Sequence, residues 1–152
     1  MLTYRIVPTE HADDMSGTGS AKEPGRWNIE GVPALYTSAT RALAVCESLL
    51  GTSSTKADDL TLVTYDIPDD CDILYLEVDD LPGNWSSNPP PDECQQLGAR
   101  HLNCDDYAAF RVPSSIVPDE YNYVLNPKFR EYDRIRIVAT KPFDTVQVQA
   151  ST

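Results

Sequence analysis

Three stretches of this chain hold side chains whose types and spacing could do chemistry. In PGRWN, residues 24 to 28, Arg26 sits between Gly25 and Trp27. A glycine lets backbone approach a ligand, an aromatic ring walls off water, and the guanidinium fork suits two-point binding of phosphate or carboxylate. Arg26 is therefore either an anion clamp or a strut paired with one of the chain's many acids. Glu47 lies in ATRALAVCESLL, which reads as a helix from Ser38, a good N-cap, to Gly51, a good stop. At about 100° per residue, that helix places Ala42, Leu43, Val45, Cys46, Leu49 and Leu50 in one apolar arc, with Glu47 at its edge. An ionised carboxylate there is costly without a compensating partner, so Glu47 either serves a site or escapes to water or to Arg41. The third stretch is FRVPSSIVPDEYNYVLNP, residues 110 to 127. It ends a strand at Pro113, offers hydroxyls at Ser114 and Ser115, and reaches Asn126 just before Pro127. Two serines after a proline also suit a turn or a cap.

Other chemistries find less support. A nucleophilic serine wants a histidine, yet the chain has only His11 and His101 and no GxSxG elbow. Cys94, His101 and Cys104 bring three metal donors into one stretch, but a fourth ligand is not evident, and no metal is expected. Neither a GxGxxG nor a GxxxxGK[ST] loop occurs, which removes the Rossmann and P-loop readings.

These residues must be held by a chain of 152 residues, 41% of them hydrophobic, enough for one domain over 1–152. Lys and Arg number 12 against 24 Asp and Glu, a net charge of −12 that repels phosphate backbones and disfavours nucleic-acid binding. Eleven of the acids fall between Asp58 and Glu93, where no Lys or Arg occurs; this block is either a solvated face or a docking surface for a basic partner. Four cysteines without a CxxC pair, no signal peptide in MLTYRIVPTEHADD and no run of about 20 apolar residues lead us to expect a cytoplasmic protein with reduced thiols and no membrane span. Strand-like runs lie at 2–7, 34–37, 60–67, 72–78, 108–112, 134–139 and 145–149. A second helix is expected from Asp92 through DECQQLGARHL, weakened by Gly98, and 81–93 reads as an irregular loop. Many strands, few helices and no βαβ alternation predict an α+β fold built mainly on antiparallel strands.

Taken in order, GRWN, ALYTS, ALAVCESLL, FRVPSSIVP and YNYVLNP resemble the RES domain, a family of bacterial toxins named for an arginine, a glutamate and a serine. The resemblance runs from YRI near the start to RIRIV near the end. It implies a fold like that of ADP-ribosyltransferases and an activity that degrades NAD+ by cleaving the nicotinamide–ribose bond. It also implies an Xre-like antitoxin as protein partner. Carried over by position, Arg26, Glu47 and Ser114 are the catalytic residues, with Ser115 the alternative serine, and Tyr36 and Asn126 bind substrate; Trp27, as the aromatic wall beside Arg26, is expected to join them in binding substrate. NAD+ is then a substrate rather than a cofactor, with inorganic phosphate as a candidate co-substrate. The sequence leaves a homodimer open, and also the transfer of ADP-ribose to a protein or a non-catalytic acidic interaction module. His101 stands where the family often has tryptophan, and Phe129 and Arg130 where it often has His-Pro.

Overall fold

Alternating apolar and polar side chains draw most of the chain into strands, whose successive residues face opposite sides. In the structure, a computed structural model that describes residues 1–50 and 59–144, these strands are β1 (Leu2–Pro8), β2 (Leu35–Ser38), β3 (Leu60–Asp66), β4 (Ile73–Tyr75), β5 (Ala109–Pro113), β6 (Tyr121–Leu125) and β7 (Arg136–Phe143). They form one seven-stranded sheet in the order β4-β5-β6-β2-β1-β3-β7. Every pairing is antiparallel except β4 with β5. Among the described residues three α-helices accompany it: α1 (Thr18–Lys22), α2 (Arg41–Leu50) and α3 (Asp92–Leu102).

Each face of the sheet is covered by its own cluster. On one face Tyr4 and Ile6 of β1 pack against Ala44 of α2. Farther along that face, Phe110, Val112 and Val124 meet Trp27, Trp85, Cys94 and Leu102. The other face packs Val7, Leu35, Val63, Tyr65 and Leu125 with Phe129 and Ile135. Phe110, Leu35 and Val124 are at most 1% exposed, and burying such a side chain contributes about 1.5–3 kcal/mol.

The departures from expectation have physical causes. The run at 72–78 forms only the short β4, because the chain turns into a 3-10 helix at Val78–Asp80. β6 is a strand that the list of runs missed; its partners on both sides fix it, with Leu125 opposite Leu35 and Ala109. α1 has five residues, too few to display a helical period. The expected strand at 145–149 and the stop at Gly51 lie outside the described residues. Ser38 does not cap α2; it ends β2, and the Thr40 hydroxyl accepts the Leu43 N–H at 3.1 Å instead. The apolar arc of α2 is also displaced, since Leu43 and Ala44 are its buried residues while Leu49 and Leu50 are 51% and 69% exposed. Gly98, a poor helix former, is demanded by packing: a Cβ there would lie 1.7 Å from the Trp27 carbonyl oxygen.

Candidate active site

β2, β6, the end of β5 and α2 converge on Glu47. Its Oε1 accepts the Ser114 hydroxyl at 2.7 Å and the Asn122 amide at 2.7 Å. Each donor is itself aimed. The Ser114 Oγ accepts the backbone N–H groups of Ile116 and Val117, both at 3.1 Å, so its proton is directed to the carboxylate. Asn122 accepts the Ser38 hydroxyl at 2.8 Å through Oδ1, which turns its NH2 toward Glu47. The antiparallel register that sets Ser38 opposite Asn122 makes this relay. Oε2 of Glu47 accepts no hydrogen bond among the described residues. The carboxylate is thus held on one oxygen by neutral donors, which leaves the other presented.

Arg26 supplies the opposite charge. Its Nη1 donates to the carbonyl oxygens of Trp85 at 2.8 Å and Ser87 at 2.6 Å. It forms no ion pair among the described residues, and Nε and Nη2 make no hydrogen bond there. Burial lowers the pKa of Arg26, and the Glu47 carboxylate acts in the other direction. Beside it, the Tyr36 hydroxyl donates to Asn28 Oδ1 at 2.6 Å and accepts the Trp27 N–H at 3.0 Å. Burial pushes the Tyr36 phenol upward, so it stays protonated. A Cβ at residue 25 would stand 2.8 Å from the Tyr36 hydroxyl, which explains the glycine before Arg26.

A cleft of about 610 Å3 joins these groups, within the range of small-molecule sites. Arg26, Trp27, Tyr36, Glu47, Ser115 and Asn122 all line it. Ser114 is fully buried behind Glu47 and reaches the cleft through that carboxylate. Trp27 contributes to the wall, but its ring is 3% exposed and belongs mainly to the core. Asn126 is not brought to the cleft. It is buried past the end of β6, donating to the Cys104 carbonyl at 2.7 Å and accepting the Lys128 N–H at 3.0 Å. Cys94, His101 and Cys104 do not assemble either: Cys94 is buried against the Trp85 carbonyl, whereas Cys104 bonds Asp106. All four cysteines are free. Among the described residues no helix is long and apolar enough to cross a membrane.

The family model of the RES domain matches residues 2–145. The chain belongs to the RES domain family. Relatives of this RES chain include the "Toxin Res" of Yersinia enterocolitica, 33% identical over 134 residues, with 87% of this chain and 88% of that protein covered. The "Prs ADP-ribosylating toxin" of Sphingobium sp. (strain YBL2) is 34% identical over 123 residues, covering 78% and 76%. Among solved structures, the M. tuberculosis MbcT-MbcA toxin-antitoxin complex holds a similar chain, with a TM-score of 0.75 at 20% identity over 98% of this chain and 87% of that one. That likeness concerns the fold, the α+β architecture built mainly on antiparallel strands that the sequence led us to expect.

Two residues of this RES site escape the sequence reading. Asn122 stands four positions before Asn126 in the same motif, and only the pairing of β6 with β2 tells which one meets Glu47. Asn28 is fully buried, accepts from Gly25 N–H and Tyr36 OH, and donates to the Ser20 and Val32 carbonyls. Its place inside GRWN was the available signal.

Proposed function

We propose that this RES-family chain is the toxin of a toxin–antitoxin pair and consumes NAD+ by cleaving the nicotinamide–ribose bond. The observation that carries the reading is a half-buried carboxylate, Glu47, held at one oxygen by neutral donors in a cleft that also holds an arginine with no acidic partner among the described residues. Breaking the bond leaves its electron pair on nicotinamide, which departs neutral and needs no acid to protonate it. Positive charge builds on the ribose in an oxocarbenium-like transition state, and a fixed carboxylate stabilises that charge. Water, losing a proton, or inorganic phosphate then takes the ribose carbon. Arg26 binds the pyrophosphate through its open N–H groups, and Tyr36 packs against nicotinamide or ribose. Ser114 and Asn122 keep Glu47 oriented. NAD+ serves as substrate, no cofactor is invoked, and the protein partner is an Xre-like antitoxin.

Purified protein should release nicotinamide from NAD+, and Glu47→Ala should abolish the release while leaving a folded chain. Intact NAD+ after long incubation with folded wild-type protein would overturn the reading. Running the assay with and without phosphate separates the two acceptors. A second reading, transfer of ADP-ribose to a protein, is favoured by the name of the Sphingobium relative, an ADP-ribosylating toxin. Mass spectrometry of a treated lysate should then find ADP-ribose adducts.

A further inference from the structure

The segment 84–90 runs across the cleft beside Arg26, and its Ser86, Asn88 and Pro90 are part of the lining. Its own internal bonds are few: the Trp85 N–H reaches the Pro82 carbonyl at 3.0 Å and the Ser87 N–H the Asn84 carbonyl at 3.0 Å. Trp85 is buried in the core and anchors the strap at one end, while Ser86, Ser87, Asn88 and Pro89 are exposed. What ties the exposed stretch after Trp85 inward is Arg26 Nη1, bonded to the carbonyls of both Trp85 and Ser87. The same guanidinium keeps Nε and Nη2 unengaged and has no carboxylate partner among the described residues. A planar group with fixed donors can serve two acceptor sets at once, which a lysine ammonium on a flexible stem does poorly.

We propose that Arg26 couples anion binding to the shape of the cleft: Nη1 pins the 84–90 strap as the wall, while Nε and Nη2 take the substrate's phosphates. Seating the anion and fixing the wall are then one event. The identity of the anion as the pyrophosphate of NAD+ rests on the function proposed above; the coupling itself does not. An anion on the open edge of the guanidinium restrains the plane that also holds the strap, so binding tightens the wall and a loosened wall weakens binding. Residues 86, 88 and 90 thereby contribute to substrate selection although none belongs to the family's named set.

Hydrogen exchange of the strap, read with inorganic pyrophosphate as the probe, tests this without any turnover. In wild-type protein, pyrophosphate should slow exchange of the Trp85 and Ser87 amides severalfold. In Arg26→Lys, which keeps the charge, both amides should exchange faster than in wild type and respond to pyrophosphate no longer. A second variant leaves Arg26 untouched: Ser86→Gly with Ser87→Gly should weaken pyrophosphate binding by at least about threefold and raise KM for NAD+ while kcat changes by less than about twofold. This double variant decides the matter if Arg26→Lys does not fold. Equal strap exchange in wild type and Arg26→Lys, unchanged pyrophosphate affinity in the double variant, or no pyrophosphate binding at all would each overturn the coupling. Nicotinamide release with an unresponsive strap would sink this inference alone; a responsive strap in a protein that releases no nicotinamide would sink the NAD+ reading alone.

Discussion

Strands β5 and β6 hold a carboxylate on each face, and the two are handled in opposite ways. On one face Glu77 binds the Arg111 guanidinium through Oε1 and accepts the Tyr121 hydroxyl at 3.1 Å through Oε2. Arg111 is in turn stacked between the rings of Tyr75 and Tyr121, at 4.7 and 3.9 Å. On the other face Glu47 receives only a hydroxyl and an amide, both on one oxygen. The tyrosine-lined pair neutralises its charge and leaves no oxygen over; it closes the sheet near its edge. The cleft carboxylate has no cationic partner among the described residues and leaves one oxygen open, an arrangement suited to a developing cation. Two acids bound to the same pair of strands, one from α2 and one from the turn after β4, thus differ in whether their neighbours are charged.

The sharpest way to break the contrast is to remove the charge of Glu47. Glu47→Gln should cut nicotinamide release on the order of 10²–10³-fold with little change in melting temperature, and an active variant would show that the carboxylate is dispensable. Next in size is Asn122→Ala, which deletes one of the two donors to Oε1. A hydrogen bond to a charged group is worth about 1.5–3 kcal/mol, so turnover should fall roughly ten- to hundredfold. Asn126→Ala, in a residue that bonds only backbone groups away from the cleft, should instead lower stability. Ser114→Ala strands the Ile116 and Val117 N–H groups together with Glu47, and should cost about 1–3 kcal/mol in urea denaturation. Glu77→Gln should be milder. Its side chain is 56% exposed, so the loss of the ion pair should cost about 0.2–1 kcal/mol and leave nicotinamide release unaffected.

The smallest effect uses a third carboxylate held, like Glu47, chiefly by neutral donors. The Ser16 hydroxyl, and after it the Ser16 backbone N–H, hold Asp14 below the usual carboxylate pKa. A folded-state pKa lower than the unfolded one gives stability that is present above the unfolded value, about 3.9, and is lost as pH falls through the folded one. Asp14→Asn should therefore lower the melting temperature slightly at pH 7 and lose that effect in acid, once pH has fallen through the folded-state value. An equal loss at both pH values would mean that the bonds to Ser16 do not depend on the charge.

What the sequence discloses follows from the range of each interaction. Glu47 stands out because a carboxylate at the edge of an apolar helix needs explaining within one turn of chain. The two longer helices and most strands are legible for the same local reason. Asn122 is not, because what distinguishes it from Asn126 is a strand register set by Ser38, 84 positions away. Four residues of strand span about 13 Å, enough to carry one asparagine into the cleft and leave the other among loop carbonyls. The strap's attachment to Arg26 was equally hidden, since its acceptors are backbone carbonyls, which every residue possesses.

Gly98 gives this arrangement a gauge. The helix that follows the strap meets the loop that carries Arg26 at this residue, where hydrogen fits and a methyl group would stand 1.7 Å from the Trp27 carbonyl oxygen. From the same helix, Gln95 donates to the Gly25 carbonyl at 3.0 Å and Cys94 Sγ touches the Trp85 carbonyl at 3.7 Å. The width of the cleft is therefore set from behind, by one missing carbon at a seam where no substrate goes. A single alanine there would pry the two walls apart and disarm the protein without altering any group that faces its ligand.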